Sequence, residues 1–190
     1  MPQDQFNKVY KIDASTNCYM IEVGLDQYKD IFNEWDPAPF KRRDIDPDLE
    51  LYLEGSSDEI PFQYPIELCF IIPVGTRDEQ IEAETRQGLE NSFIFKRYLL
   101  RQELTQTNTQ MLRFVLIGFV FLGVAAFFSK RTEATVLLSA LIEGVFIVGW
   151  VFLWEAVSLF FFTNRELYQR YRTYKRLQDA PVFFREAGKI

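Results

Sequence analysis

Two apolar runs separated by five residues constrain this chain more than anything else in it. From Phe114 to Phe128 it reads FVLIGFVFLGVAAFF with no polar side chain, and Met111 and Leu112 extend the run past Arg113. That reaches the roughly 17–25 residues with which a helix crosses a bilayer. The second run, Ala134 to Phe162, carries Ser139, Glu143, Glu155 and Ser158 inside it. At ~1.5 Å per residue it exceeds a ~30 Å hydrocarbon core, so it tilts or projects. Core helices of soluble proteins keep a polar face, and these runs have none. The reading is a transmembrane hairpin: a first span over 111–128, a short external loop over 129–133 and a second span over 134–162. Five residues cannot recross a membrane, so both termini share one side.

Basic residues give the orientation. Lys96, Arg97, Arg101 and Arg113 precede the first span, Arg165, Arg170, Arg172, Lys175 and Arg176 follow the second, and the loop holds only Lys130 and Arg131. The positive-inside rule then places both termini in the cytoplasm. The start, MPQDQFNKVYK, has no apolar core of a signal peptide, so the first span is expected to act as its own insertion signal. Trp150 and Trp154 are expected at the cytosolic interface as an aromatic belt.

Charge separates the chain into unlike halves: residues 1–110 hold 21 acidic and 11 basic side chains, residues 111–190 hold 6 and 10. An acidic front half excludes nucleic acid, whose phosphates demand positive surface. With no histidine there is no Ser–His or Cys–His nucleophile and no imidazole ligand. Cys18 and Cys69 form no CxxC pair, which argues against a zinc knuckle or a disulfide framework and fits a reducing setting. No cofactor or metal is expected, and no enzyme.

Residues 1–76 read as a small cytosolic α+β domain of order ββααβα. Phe6–Ile12 and Asn17–Val23 suggest a hairpin. Asp26 would cap a helix bearing Tyr28, Ile31, Phe32 and Trp35, and Asp46–Pro47 would start another that stops at Gly55. The run Ile66–Val74 is expected as the central strand. Residues 77–110 form a connecting helix or stalk leading into the first span, ~75 Å long if unbroken from about Asp78 to Phe128; a break, if there is one, falls at Thr105–Gln110. Residues 163–190 make a basic helix and tail that either lies along headgroups or packs back on the stalk.

The string from Ile31 to Phe40, IFNEWDPAPF, followed by Arg43-Asp44-Ile45-Asp46-Pro47-Asp48, resembles a family of small, uncharacterised bacterial two-span membrane proteins with the pattern LFNxxDPSPFxxRDLDPxAE. Glu143-Gly144, Ile147 to Val151, Trp154, Arg165, Leu167-Tyr168 and Pro181-Val182 are similar to that family's EGxxIVGWVxxW stretch and tail. The resemblance implies a soluble front domain joined to a two-span hairpin. It brings no catalytic residue. Glu155 stands where that family has arginine, and Thr163-Asn164 replaces a Trp-Pro segment.

Glu143 is the residue the sequence singles out. Pairing the spans about the loop sets it opposite Val120, ~12 Å below the outer end of its helix, with no Arg or Lys expected at that depth. A carboxyl group there costs at least ~2.5–3.5 kcal/mol on insertion scales, so it must be shielded by a hydrogen bond, a proton or water inside an assembly. One reading is a ring of Glu143 side chains lining a cation or proton path in a homo-oligomer. The other is a neutral group bonded across a helix interface, with Ser139 one turn away. Arg113 and Glu155 are expected as a structural ion pair, the alternative for Glu155 being a gate. Gly118, Gly123, Ala140, Gly144 and Gly149 supply small surfaces for helix packing. Asp44, Asp46, Asp48 and Glu50 alternate like a calcium loop, but Leu49 and Gly55 stand where that loop needs Gly and Glu, so capping and solvation explain them.

The expectation is therefore a self-associating inner-membrane scaffold. Its partners are lipid, its own copies and a cytosolic protein that meets the acidic domain. The alternative is a subunit of an oligomeric cation or proton channel that uses Glu143.

Overall fold

The computed structural model describes residues 9–131 and 135–188. The chain divides into two compact units, one formed by residues up to Leu99 together with those from Arg170 onward, the other by Leu100–Gln169.

The first unit is built on a three-stranded, all-parallel sheet in the order β1 (Tyr19–Gly24), β2 (Ile66–Ile72), β3 (Val182–Glu186). The central position of β2 matches its sequence: an almost uninterrupted apolar run suits a strand covered on both faces, and six of its seven residues are buried. The expected ββααβα order is corrected in two ways. The anticipated first strand leaves one antiparallel bridge, Ile12 to Tyr19, with Phe6, Asn7 and Lys8 outside the described residues. A strand that the sequence reading missed, β3, pairs from Leu68–Val182 to Ile72–Glu186.

Helix α1 (Pro47–Glu59) connects β1 to β2. Asp46 caps it, accepting from the Asp48 and Leu49 N–H groups at 2.9 and 3.3 Å. It does not stop at Gly55. Its last carbonyls have a partner from the far end of the chain: Arg176 donates to the Ser57, Ile60, Pro61 and Tyr64 carbonyls at 2.6–3.2 Å, and such end groups otherwise go unpaired. The helix expected from Asp26 is only a single 3-10 turn, Tyr28–Ile31. Side chains take the backbone N–H groups that a longer helix would need: Asp30 accepts from Gln27, Asn33 from Trp35, and Asp36 from Ala38 and Asp44. Trp35, expected on the apolar face, is 93% exposed as a result.

Helix α2 (Glu79–Arg131) is unbroken, through the stretch left open at 105–110 as well. Its threonines bond backward within the helix, Thr105 to the Arg101 carbonyl at 2.9 Å and Thr109 to that of Thr105 at 2.8 Å, so no side chain draws the backbone outward. Within the stretch expected as a connecting helix or stalk, Leu89 and Phe93 are buried in the first unit. Gly88 is needed where α2 meets the 32–40 loop, since a Cβ there would lie 2.2 Å from the Phe40 carbonyl oxygen. Helix α3 (Val136–Ser158) passes through a π turn, Leu159–Thr163, into α4 (Asn164–Asp179). From Arg170 on, α4 belongs to the first unit, burying Tyr174 and Leu177. Phe184 stacks on Phe70 at 5.5 Å and meets Tyr28 at 5.5 Å, which closes the core.

In the second unit, α2 and α3 pack along a regular seam. The partly or fully buried positions include 104, 107, 111, 114, 118, 121 and 125 on α2 and 142, 145, 149, 152, 156 and 159 on the returning helix. Alternating steps of three and four are the repeat of coiled-coil packing. Phe152 sits between Phe114 and Phe121, at 5.7 and 5.9 Å. At the crossing the backbones touch: a Cβ on Gly118 would lie 3.0 Å from the Gly149 carbonyl oxygen, and one on Gly149 would lie 3.1 Å from that of Gly118. After position 159 the stripe resumes at 164, 167, 171 and 174. The first step is five rather than four, and the wider π turn absorbs the extra residue.

Replacing Phe184 by alanine should lower the unfolding free energy by about 3–5 kcal/mol. The same change at Phe183, 40% exposed, should cost under about 1 kcal/mol. Urea denaturation of the full chain in detergent measures both.

Candidate functional site

The apolar helices leave most of their surface bare. In the most apolar 18-residue window of each, only 11% of residues are buried on the first helix and 6% on the second. Both are long and apolar enough to cross a membrane. The small residues divide into two groups. Gly118 and Gly149 meet inside the hairpin, whereas Gly123 and Gly144 face open space, with nothing within 4 Å of a Cβ placed on either. Ala140 is exposed as well, and with Gly144 it flanks Glu143, which is itself exposed.

Glu143 and Lys130 line one open cleft of about 510 Å³ with Ser129, Ala125, Phe146 and Ile147. The sequence places no Arg or Lys at the depth of Glu143, and Lys130 lines the cleft from the loop end. Side chains lean toward the N-terminus of their own helix; α2 and α3 run in opposite directions, so Lys130 leans down from the loop end while Glu143 leans up toward it. No ion pair within 4.0 Å joins them, and no hydrogen bond ties Ser139 to Glu143 among the described residues. Arg113 and Glu155 likewise form no ion pair. Each precedes a seam residue, Phe114 and Ala156, by one position, and a turn of ~100° per residue carries it off the contact line. Trp150 and Trp154 are exposed on the outer surface of α3.

A polar lattice in the first unit joins α1 to the helices that lead into and out of the hairpin. Glu50 bonds Lys96 of α2 at 2.9 Å and Glu54 bonds Arg170 of α4 at 2.8 Å. The Tyr174 hydroxyl lies 2.6 Å from Glu50 and 2.8 Å from Glu54. Burial first, and then these two carboxylates, push the Tyr174 phenol far up. Arg97 adds bonds to Tyr171 and Gln178. Elsewhere Glu82, almost fully buried, is held by Arg77 at 2.8 Å and Arg86 at 3.0 Å.

On the other face of the sheet, Glu67 is fully buried. Thr16 donates to its Oε2 at 2.9 Å, and its Oε1 has no partner. Burial raises the Glu67 carboxyl, and the charge of nearby Asp13 raises it further. Asp13 moves the opposite way, down to about 2, through hydrogen bonds from the Ser15 hydroxyl and N–H, with Arg185 also contributing. Arg185 of β3 holds Asp13 at 2.7 Å, linking the last strand to the turn before β1.

No family model, curated protein or solved structure matches this chain. Among the described residues, no group of three or more His, Cys, Asp or Glu is arranged to hold a metal ion. Sequence reading missed Tyr174, Arg176 and Arg185 as organising residues. The signal was present: Pro181 ends the helix, and VFFRE after it is a short β-rich run.

The raised Glu67 carboxyl favours the fold while it is protonated, and that stability is lost as pH rises through its folded-state value. The lowered Asp13 carboxyl works in reverse: its contribution is lost as pH falls toward about 2. Glu67→Gln keeps the Thr16 bond and removes the charge. It should raise the Tm at pH 8 by several degrees, about 3–6 °C per kcal/mol, with the gain vanishing near pH 4. Thermal melts across pH measure it.

Proposed function

We propose that this chain is a non-enzymatic, self-associating scaffold of a bacterial inner membrane, with its soluble unit in the cytoplasm. The observation that carries the reading is the second, unused small surface on the hairpin. Gly118 and Gly149 already serve the contact within one chain, while Ala140 and Gly144 stand open beside an exposed carboxylate on an otherwise apolar helix. A neighbouring copy packed there brings backbones close, the usual basis of helix association in lipid, and removes Glu143 from acyl chains. Bare apolar windows support insertion, since a soluble chain would not leave them uncovered.

Topology supports a shared side for the two ends of the hairpin independently of charge. The hairpin segment leaves the soluble unit after β2 and returns to it before β3, and these strands are neighbours in one sheet. Both ends of the hairpin therefore belong on one side of a bilayer. The soluble unit holds 22 acidic and 16 basic residues, so the returning basic helix lowers the apparent acidity of the front half. A net charge of −6 still favours a basic patch on a cytosolic protein partner.

The detergent-purified complex should have a mass several times the 22.5 kDa of one chain, and Gly144→Leu should return it to one chain's mass with the soluble unit folded. A native monomer, or an assembly indifferent to Gly144→Leu, would overturn the scaffold reading. Ion flux in liposomes that disappears in Glu143→Gln would instead establish the channel subunit.

A further inference from the structure

A small cavity of about 190 Å³ lies in the soluble unit where four parts of the chain converge: the 31–46 loop, α1, α2 and α4. It is lined by the polar residues of the loop motif, Asn33, Asp44 and Glu50, together with Lys96 of α2 and Tyr174 of α4. These motif residues do not all have structural work. Asp46 caps α1, and Asp36 closes the loop through two backbone N–H groups. Asp44, by contrast, uses only its backbone in the loop: its N–H goes to Asp36 and its carbonyl accepts from Asn33. Asp44 is exposed, and among the described residues its carboxylate takes no hydrogen bond and no ion pair. Asn33 is in the complementary state. Its side-chain oxygen accepts from Trp35, while its NH₂ group has no partner. Lys96 gives one of its three N–H bonds to Glu50.

We infer that this cavity binds a small zwitterion, a free α-amino acid with an apolar side chain. The lining offers one open acceptor, Asp44, and two open donors, Asn33 and Lys96, beside an apolar wall formed by Ile45 and Phe95. A ligand ammonium pairs with Asp44. A ligand carboxylate takes the remaining N–H groups of Lys96 and Asn33, and the side chain lies on the apolar wall. Ligands with one charge fit less well. A plain carboxylate brings negative charge beside Asp44 and Glu50, and a plain amine leaves the Lys96 and Asn33 donors unused. Size limits the class: a liquid water occupies ~30 Å³, so the cavity has room for about six water-sized groups, which suits only the smaller amino acids. The lining spans the helices that lead into and out of the hairpin segment, so an occupied cavity ties the loop to both. The site lies wholly in the soluble unit and is independent of whether copies assemble.

The experiment uses the full chain in detergent micelles and titrates L-valine by calorimetry, with isobutylamine and isovalerate as single-charge controls of similar shape. Saturable valine binding is expected, with each control at least tenfold weaker. Asp44→Asn should weaken valine at least tenfold without lowering the Tm of the free protein, because the carboxylate has no internal partner. Lys96→Gln, which also breaks the Glu50 pair, gives a second reading, and a Phe95→Trp variant reports occupancy by fluorescence. Absence of saturable binding by valine, leucine, alanine and serine would overturn the inference, as would valine binding that survives Asp44→Asn or controls that bind equally well. Complex mass recorded on the same samples keeps this result separate from the assembly question.

Discussion

The parallel pairing of β2 with β3 is the constraint on which the rest depends. A parallel strand cannot follow its neighbour through a tight turn; it needs a crossover. Here that crossover contains 109 residues between Ile72 and Val182, including the whole apolar hairpin. The sheet therefore holds the two ends of the hairpin segment in one folded unit. The Arg185–Asp13 bond and the cap that Arg176 provides for α1 reinforce that closure from the same end of the chain.

Within each unit the chemistry is divided cleanly. The apolar hairpin is organised by shape, through glycines that let backbones touch and rings that fill the space between them. The soluble unit is organised by polar groups with specific partners, among them Glu82 with its two arginines and Tyr174 between two carboxylates. Glu67 departs from this pattern as a buried carboxyl with one oxygen unpaired, and its stability cost varies with pH.

Much of this was legible in the sequence where a pattern is local. The apolar runs, the cap at Asp46 and the central strand follow from composition and spacing over a few residues. What stayed hidden depends on partners far away in the chain. Gly55 looked like a helix stop because the side chain that satisfies the carbonyls beyond it, Arg176, lies more than a hundred residues later. Continuity through 105–110 stayed open because threonine's backward bonding inside a helix is not visible in composition. Lys130 was assigned to the loop by position, yet the opposed directions of two helices bring it to Glu143's cleft. The residues of the motif string divide between closing the loop and lining a cavity, a division that no local pattern shows.

The order of strands also sets an order of events during synthesis. A ribosome makes β1, α1 and β2 first, and β3 emerges only after every residue of the hairpin has been made. Until then one edge of β2 has no neighbour, an open template for aberrant pairing. A nascent chain stalled or cleaved within the hairpin thus carries an unfinished sheet with an open strand edge. The sheet can close only after the whole apolar segment has been translated.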